Sequence, residues 1–174
     1  MLALLRERRS IRKFQQRAVE PEKIELLTEG LLRAPTSRNL QPCQFVVVDN
    51  PQLIAELSRS KAHGTGFLQT APLAVVIVAD PARSDVWTED SAIAAIILQL
   101  VAEDLGLKSC WGQLRLRPHN EDQSASDYVK QLLDIPAGLE VPIVIGIGYP
   151  DEEKAGHSRE SLPFEKVHLN RYSP

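Results

Sequence analysis

Arg8-Arg9-Ser10-Ile11-Arg12-Lys13-Phe14 gathers four cations and a hydroxyl group where a short N-terminal helix is expected to end. Guanidinium groups present forked donors matched to phosphate oxygens, and a nearby serine adds a neutral donor for a remaining lone pair. The same heptapeptide also reads as a solvated basic face. The charge of the whole chain narrows that choice. A formal net charge of −3 over 174 residues leaves no extended basic footprint for nucleic acid. The cluster is therefore local and suited to one small anion.

A second polar segment follows at Ala34-Pro35-Thr36-Ser37-Arg38-Asn39-Leu40-Gln41-Pro42, entered from a helix and left by a strand. Its side chains are of the kinds that hydrogen-bond a planar heterocycle. The helix before it is predicted over Pro21 to Leu32. Ile24, Leu27 and Leu31 share one face, Pro21 suits a first helical position, and Pro35 stops the pattern. The strand after it is predicted over Cys43 to Val48, where Phe45-Val46-Val47-Val48 is aromatic and β-branched.

Pro51 opens another helix, expected to reach about Lys61, and Gly64-Thr65-Gly66 breaks it. Leu73 to Ala79 reads as a strand buried on both faces. From Asp90 to Gly106 the sequence predicts a helix with apolar side chains nearly all around its first three turns, with Gly106 as its C-terminal cap. It is too short to span a bilayer. One small chain has few elements with which to cover such a helix, so a subunit interface is expected there, with Ala92, Ala94 and Ala95 permitting close approach. A short strand through Ser109 to Trp111, a helix over Asp127 to Leu133 and a last interior strand over Val141 to Tyr149 complete the pattern. From Pro150 the chain is polar and punctuated by proline and glycine, as for an extended surface tail. Alternating helices and strands by themselves suggest parallel βαβ units.

The 43% hydrophobic and 25% charged composition is ordinary for a globular chain, and the length suits one domain. Two cysteines, Cys43 and Cys110, form neither a disulfide framework nor a zinc pattern. The first residues hold too few apolar side chains before charge intervenes for a signal sequence, so a cytoplasmic protein is expected, with no membrane association. Gly146-Ile147-Gly148 lacks the third glycine and the following helix of a dinucleotide fingerprint. His63, His119, His157 and His168 have no ligand spacing, so no metal site is expected. Cys110 has no base near it in sequence, and no side-chain nucleophile is identified.

The two polar segments together resemble the nitroreductase family of flavoproteins, with its Arg-Arg-Ser-x-Arg segment and its Pro-x-Ser-x-Asn-x-Gln-Pro loop. The resemblance extends from about Arg8 to Arg171. Leu107 to Gly112 looks like the family's stretch after its long central helix, and Val167-His168-Leu169-Asn170-Arg171-Tyr172 like its closing motif. It implies an α+β fold, a central and mostly antiparallel sheet flanked by helices, in an intertwined homodimer. One domain would cover residues 1–174, with 150–174 a tail contacting the partner subunit. The implied cofactor is FMN, whose N5 carries the chemistry, so no catalytic side chain is named. Arg8, Arg9, Ser10 and Arg12 would hold the phosphate and ribityl chain, and Arg171 would add a cation. Pro35, Thr36, Ser37, Asn39 and Gln41 would approach the flavin, part of this loop coming from the second subunit. Trp111 and Gly112 fall where the family brings a strand end near the ring.

The implied activity is hydride uptake from NADH or NADPH and ping-pong reduction of a nitroaromatic, quinone or flavin acceptor. Other flavin chemistry on the same scaffold, or an FMN-binding module without turnover, are the alternatives. Cys43 stands where the family often has tryptophan, and the Gly64 segment lacks a Phe-x-Asn pattern, so the substrate pocket is expected to differ.

Overall fold

The computed structural model describes residues 1–172, so the last two positions of the expected tail lie outside the described residues. Helix α1, Leu2–Glu7, buries none of its side chains. Helix α2, Pro21–Leu32, starts on its proline and buries Leu27 and Leu31. Strand β1 covers Cys43–Val48. Helix α3, Pro51–Ser58, is capped by the Asn50 side chain, which accepts from the Gln52 and Leu53 amides. It ends three residues before the expected Lys61. The Thr65 hydroxyl donates to the Ser58 carbonyl at 3.0 Å, taking an acceptor that a continuing helix needs.

Strand β2, Leu73–Ala79, is buried along its whole length. Helix α4, Trp87–Asp104, begins three residues before the expected Asp90. Gly106, at φ +73°, lies beyond its end in the left-handed conformation that reverses a chain without a side-chain clash. Strand β3 is Lys108–Gln113, helix α5 is Ala125–Leu132 under a Ser124 cap, and strand β4 is Glu140–Gly148.

The four strands lie in the order β1-β2-β4-β3, and each neighbouring pair is antiparallel. The fold is thus α+β with an antiparallel sheet. The parallel arrangement that alternating elements suggest does not occur, because β2 turns back on β1 and β4 inserts between β2 and β3. Both faces of the sheet are covered. Ala74, Val76 and Val78 pack with Leu57, Phe67, Leu114 and Val129, on the side of α3 and α5. Leu73, Val75 and Ile77 pack with Leu27, Leu31, Ala95 and Leu98, on the side of α2 and α4. Successive side chains of β2 enter different cores, so its sequence reads as one apolar run rather than an alternation.

Helix α4 turns Ala94, Ala95, Leu98 and Ala102 to the sheet. Its outer side remains apolar, with Ile93 at 37% exposure and Ile96, Ile97 and Leu100 half-buried. No helix among the described residues is long and apolar enough to cross a membrane.

Gly146 and Gly148 serve packing. A Cβ at Gly148 would lie 2.6 Å from Pro72 Cδ and 3.2 Å from Phe14 Cδ1, both stiff neighbours. Gly148→Ala is expected to destabilise the protein by about 1–3 kcal/mol, a fall in Tm of ~2–12 °C by calorimetry. Gly66→Ala, with nothing within 4 Å of its Cβ, is expected to leave Tm almost unchanged.

Candidate functional site

The arginine segment is laid against one corner of the sheet by backbone hydrogen bonds. The Ile11 amide donates to Ser109 O at 3.1 Å, Gln15 to Tyr149 O at 2.9 Å, and Asp151 to Lys13 O at 2.9 Å. Ile11 and Phe14 are buried and anchor the segment, which leaves Arg8, Arg9, Ser10 and Arg12 toward the surface. Arg9 donates to the Ala155 carbonyl, the Arg12 amide donates to the Glu152 carboxylate, and Lys154 Nζ reaches Ser10 O at 3.3 Å and Glu152 at 2.8 Å. Lys154, and after it the Arg12 amide, hold the Glu152 carboxyl below the usual range. Arg9, Lys108, Glu152 and Lys154 line an open cleft at this corner. Among the described residues, the guanidinium groups of Arg8 and Arg12 form no ion pair. Clustered cations without carboxylate partners repel one another, and a phosphate relieves that repulsion.

The loop segment occupies another corner. Arg38, Asn39 and Gln41 have φ values of 52°, 54° and 49°, three left-handed residues other than glycine within four positions. Such conformations cost about 1–3 kcal/mol each and persist only where surrounding contacts impose them. Here the Thr36 hydroxyl accepts from the Gln41 amide at 3.0 Å, and Asp90 Oδ1 accepts from the Ser37 amide at 2.9 Å. Arg38 pairs with Asp85 at the surface. Thr36, Gln41, Cys43, Phe45, Arg83 and Asp90 line a cleft of about 290 Å³ beside the loop. Burial pushes the Cys43 thiol up, the Ser91 hydroxyl 3.6 Å away opposes this, and the Asp90 charge adds a lesser upward push. Cys43 is thus a neutral thiol at physiological pH.

The two corners lie diagonally opposite on the sheet. Ser109, on the edge strand β3 beside the arginine segment, pairs with Ile147 of β4, whereas Cys43, on the edge strand β1 at the end of the loop, pairs with Ala79 of β2, and Ala79 with Glu140 of β4. Three interstrand steps and about seven residues of strand rise separate them by roughly 25 Å. One copy of the chain does not bring the two groups together. Helix α4 runs between them, with Asp90 at the loop and Gln99 donating to Ser109 Oγ at 3.1 Å near the arginines.

The other sequence-predicted residues divide. Trp111 packs on the α2 and α4 side, with its indole N–H donating to Gln113 at 3.0 Å. Gly112 is accounted for by packing, since a Cβ there would lie 2.9 Å from Val144 Cγ1 and 3.1 Å from Thr65 Cγ2. Pro35 is exposed and makes no wall of the loop cleft, and Arg171 is exposed in the tail. Glu152, Lys154 and Asp90 were not singled out by sequence reasoning. The first two lie about 140 residues from the segment they join and carry no spacing signal. Asp90 does carry one, an acidic residue opening an otherwise apolar helix.

A profile described as the nitroreductase family matches residues 5–64, which include both polar segments. A solved structure of an FMN-dependent nitroreductase from Clostridium difficile R20291 is 42% identical, covers 99% of this chain and 100% of its own, and superposes with a TM-score of 0.97. A protein of Archaeoglobus fulgidus, provisionally named NADH dehydrogenase/NAD(P)H nitroreductase, is 34% identical over 88% of this chain and 87% of its own length. An NADH dehydrogenase of Thermus thermophilus is 28% identical over 95% of this chain and 93% of its own. The chain belongs to the nitroreductase family, the FMN-binding oxidoreductases that its sequence motifs resemble.

The arginine segment is tied to α2 through Tyr149. Its hydroxyl donates to Glu20 Oε2 at 2.7 Å, Lys23 Nζ donates to it at 2.9 Å, and the Arg17 guanidinium lies 3.8 Å from its ring centroid. The Tyr149 hydroxyl, then Glu20's own backbone and Arg17, lower the Glu20 carboxyl from 4.5 to about 2. A depressed carboxyl stabilises the fold above its unfolded-state value and loses that contribution as pH falls. Tyr149→Phe is therefore expected to lower Tm at pH 7, with the gap to wild type narrowing from about pH 4.5 toward pH 2 and shrinking in high salt. Thermal melts across that range check it.

Proposed function

We propose that the chain is an FMN-dependent oxidoreductase that draws hydride from NADH or NADPH and reduces nitroaromatic, quinone or free flavin acceptors by a ping-pong cycle, each FMN lying between two copies of the chain. The diagonal separation of the phosphate-suited arginines from the strained loop is the observation that carries this reading. One mononucleotide does not bridge roughly 25 Å within a single copy. A symmetric homodimer pairs the same surface on both subunits. The apolar outer side of α4, marked by Ile93, is such a surface, and α4 joins the two corners. Antiparallel pairing of α4 with its copy sets the loop of one subunit against the arginines of the other.

The donor set fits FMN. Arg8, Arg9, Arg12 and Ser10 hold the phosphate and ribityl chain, Lys154, paired with Glu152, braces the segment through Ser10 O, and Arg171 reaches the phosphate from the tail. Thr36, Ser37, Asn39 and Gln41, with Pro35 stiffening the entry, present the loop of the partner copy to the flavin, while Trp111 and Gly112 border the ring from β3. When bound, FMN supplies the electron-carrying chemistry. The chain's own part is to bind, orient and exclude water. The whole chain acts as one domain, and its tail, with Phe164 at 52% and Leu169 at 87% exposure, reaches the partner subunit. Cys43 and Phe45 leave the loop cleft open enough for a flat acceptor.

The purified protein is expected to show a flavin absorption spectrum that bleaches on anaerobic addition of NADPH or NADH and recovers with menadione or a nitroarene. A colourless protein that takes up no added FMN contradicts the reading, and bound FMN that neither nucleotide reduces contradicts turnover. Arg12→Ala, removing a charge-assisted phosphate contact, is expected to raise the FMN Kd by about 10- to 150-fold, with Ser10→Ala smaller. Fluorescence titration reads both.

A further inference from the structure

We propose that Asp90 is the positioning residue that sets the shape of the 36–41 loop for its cofactor contact. This rests on the FMN reading above only for the loop's task. Asp90 is 2% exposed, and among the described residues it forms no ion pair. Its carboxylate is divided between two segments. Oδ1 accepts from the Ser37 amide at 2.9 Å, and Oδ2 from the Ser84 hydroxyl at 3.1 Å. Ser84 is in turn fixed by the Val86 amide at 3.3 Å, just before α4 starts. The carboxylate lies in the first turn of that helix, where the unpaired amides give a positive potential that favours an anion.

The Ser37 amide is the donor immediately before the left-handed run at Arg38, Asn39 and Gln41. A strained run needs fastening at both ends. The Thr36–Gln41 hydrogen bond closes the loop on itself, and Asp90 fixes its position against α4 and the Ser84 turn before it. Among the described residues, it is the less exposed of the loop's two side-chain contacts to the scaffold, since Asp90 is 2% exposed whereas the Arg38–Asp85 pair is 63% and 75% exposed and contributes little. Thr36, named from sequence as a cofactor contact, thereby has a second task inside the loop.

The role is geometric. Asp90→Asn keeps an acceptor for the Ser37 amide and turns an amide donor toward Ser84, so it is expected to preserve the loop. Asp90→Ala removes both acceptors. The test measures two quantities on folded protein well below Tm: exchange of the Ser37 amide in the FMN-free protein by NMR, and the FMN Kd by fluorescence. Asp90→Ala is expected to speed Ser37 exchange and to weaken FMN binding, each by about tenfold or more, whereas Asp90→Asn stays within about threefold of wild type in both. Leu98→Ala, a buried truncation on the same helix, is expected to lower Tm without moving either quantity.

An Asp90→Ala protein that matches Leu98→Ala in both readouts overturns the proposal, as does Asp90→Asn behaving like Asp90→Ala. If Asp90→Ala does not fold, Ser84→Ala frees Oδ2 and is expected to shift both readouts the same way by about threefold, and no shift overturns the proposal. If wild-type protein binds no FMN, the functional reading fails, and Ser37 exchange alone decides whether Asp90 holds the loop.

Discussion

Helix α4 is covered on one side by the sheet, and its other side is still apolar. Ala94, Ala95, Leu98 and Ala102 complete the core with β2 and β4, while Ile93, Ile96, Ile97 and Leu100 face outward from the same turns. Burying apolar area is worth roughly 25 cal/mol per Å², so an exposed face of this kind carries a standing tendency to associate. The helix also sets the long axis of the functional surface, because its first turn holds the loop through Asp90 and its later turns reach the arginine corner through Gln99 and Ser109. Core formation, the proposed association and the placing of both halves of the proposed site depend on one element.

The chemistry follows from that division of labour. The arginine corner is a concentration of charge whose segment is fixed by backbone hydrogen bonds to Ser109 and Tyr149, so that, among the described residues, the Arg8 and Arg12 guanidinium groups are placed without being consumed in ion pairs. The loop corner stores conformational strain against a buried carboxylate and a threonine hydroxyl. One corner suits a phosphate and the other a planar ring edge. The proposed enzyme joins them by pairing two copies of a single-chain design, which puts the cofactor in the seam.

Much of this was legible in the sequence. Strands β1 and β2 and helix α2 lie at their expected positions, because their apolar periods are strong and prolines or glycines close them. The antiparallel order was not legible from the residues. Strand order is a matter of which edges meet, and a run such as Leu73–Ala79, buried on both faces, reads alike in a parallel or an antiparallel sheet. That came through the resemblance. Helix α3 stopped short because Thr65 captures the Ser58 carbonyl, a tertiary contact that no local pattern announces. At the site, the arginines and the loop were legible as residue types. Their diagonal separation was not, nor were Glu152 and Lys154, which chain reversal brings beside Arg12 and Ser10. Gly112 was singled out for cofactor approach, whereas its packing against Val144 and Thr65 is enough to require glycine.

The proposal that the site is completed across two copies is tested most directly by FMN stoichiometry in mixed dimers. One subunit would carry Arg8→Ala and Arg12→Ala, the other Thr36→Ala and Gln41→Ala, with two affinity tags to isolate the mixed species. If each site takes arginines from one copy and loop from the other, both defects fall in one site and the second is intact, so one FMN binds with wild-type affinity per mixed dimer. If each site lies within one chain, every site carries a defect, and a mixed dimer without any tight FMN contradicts the account.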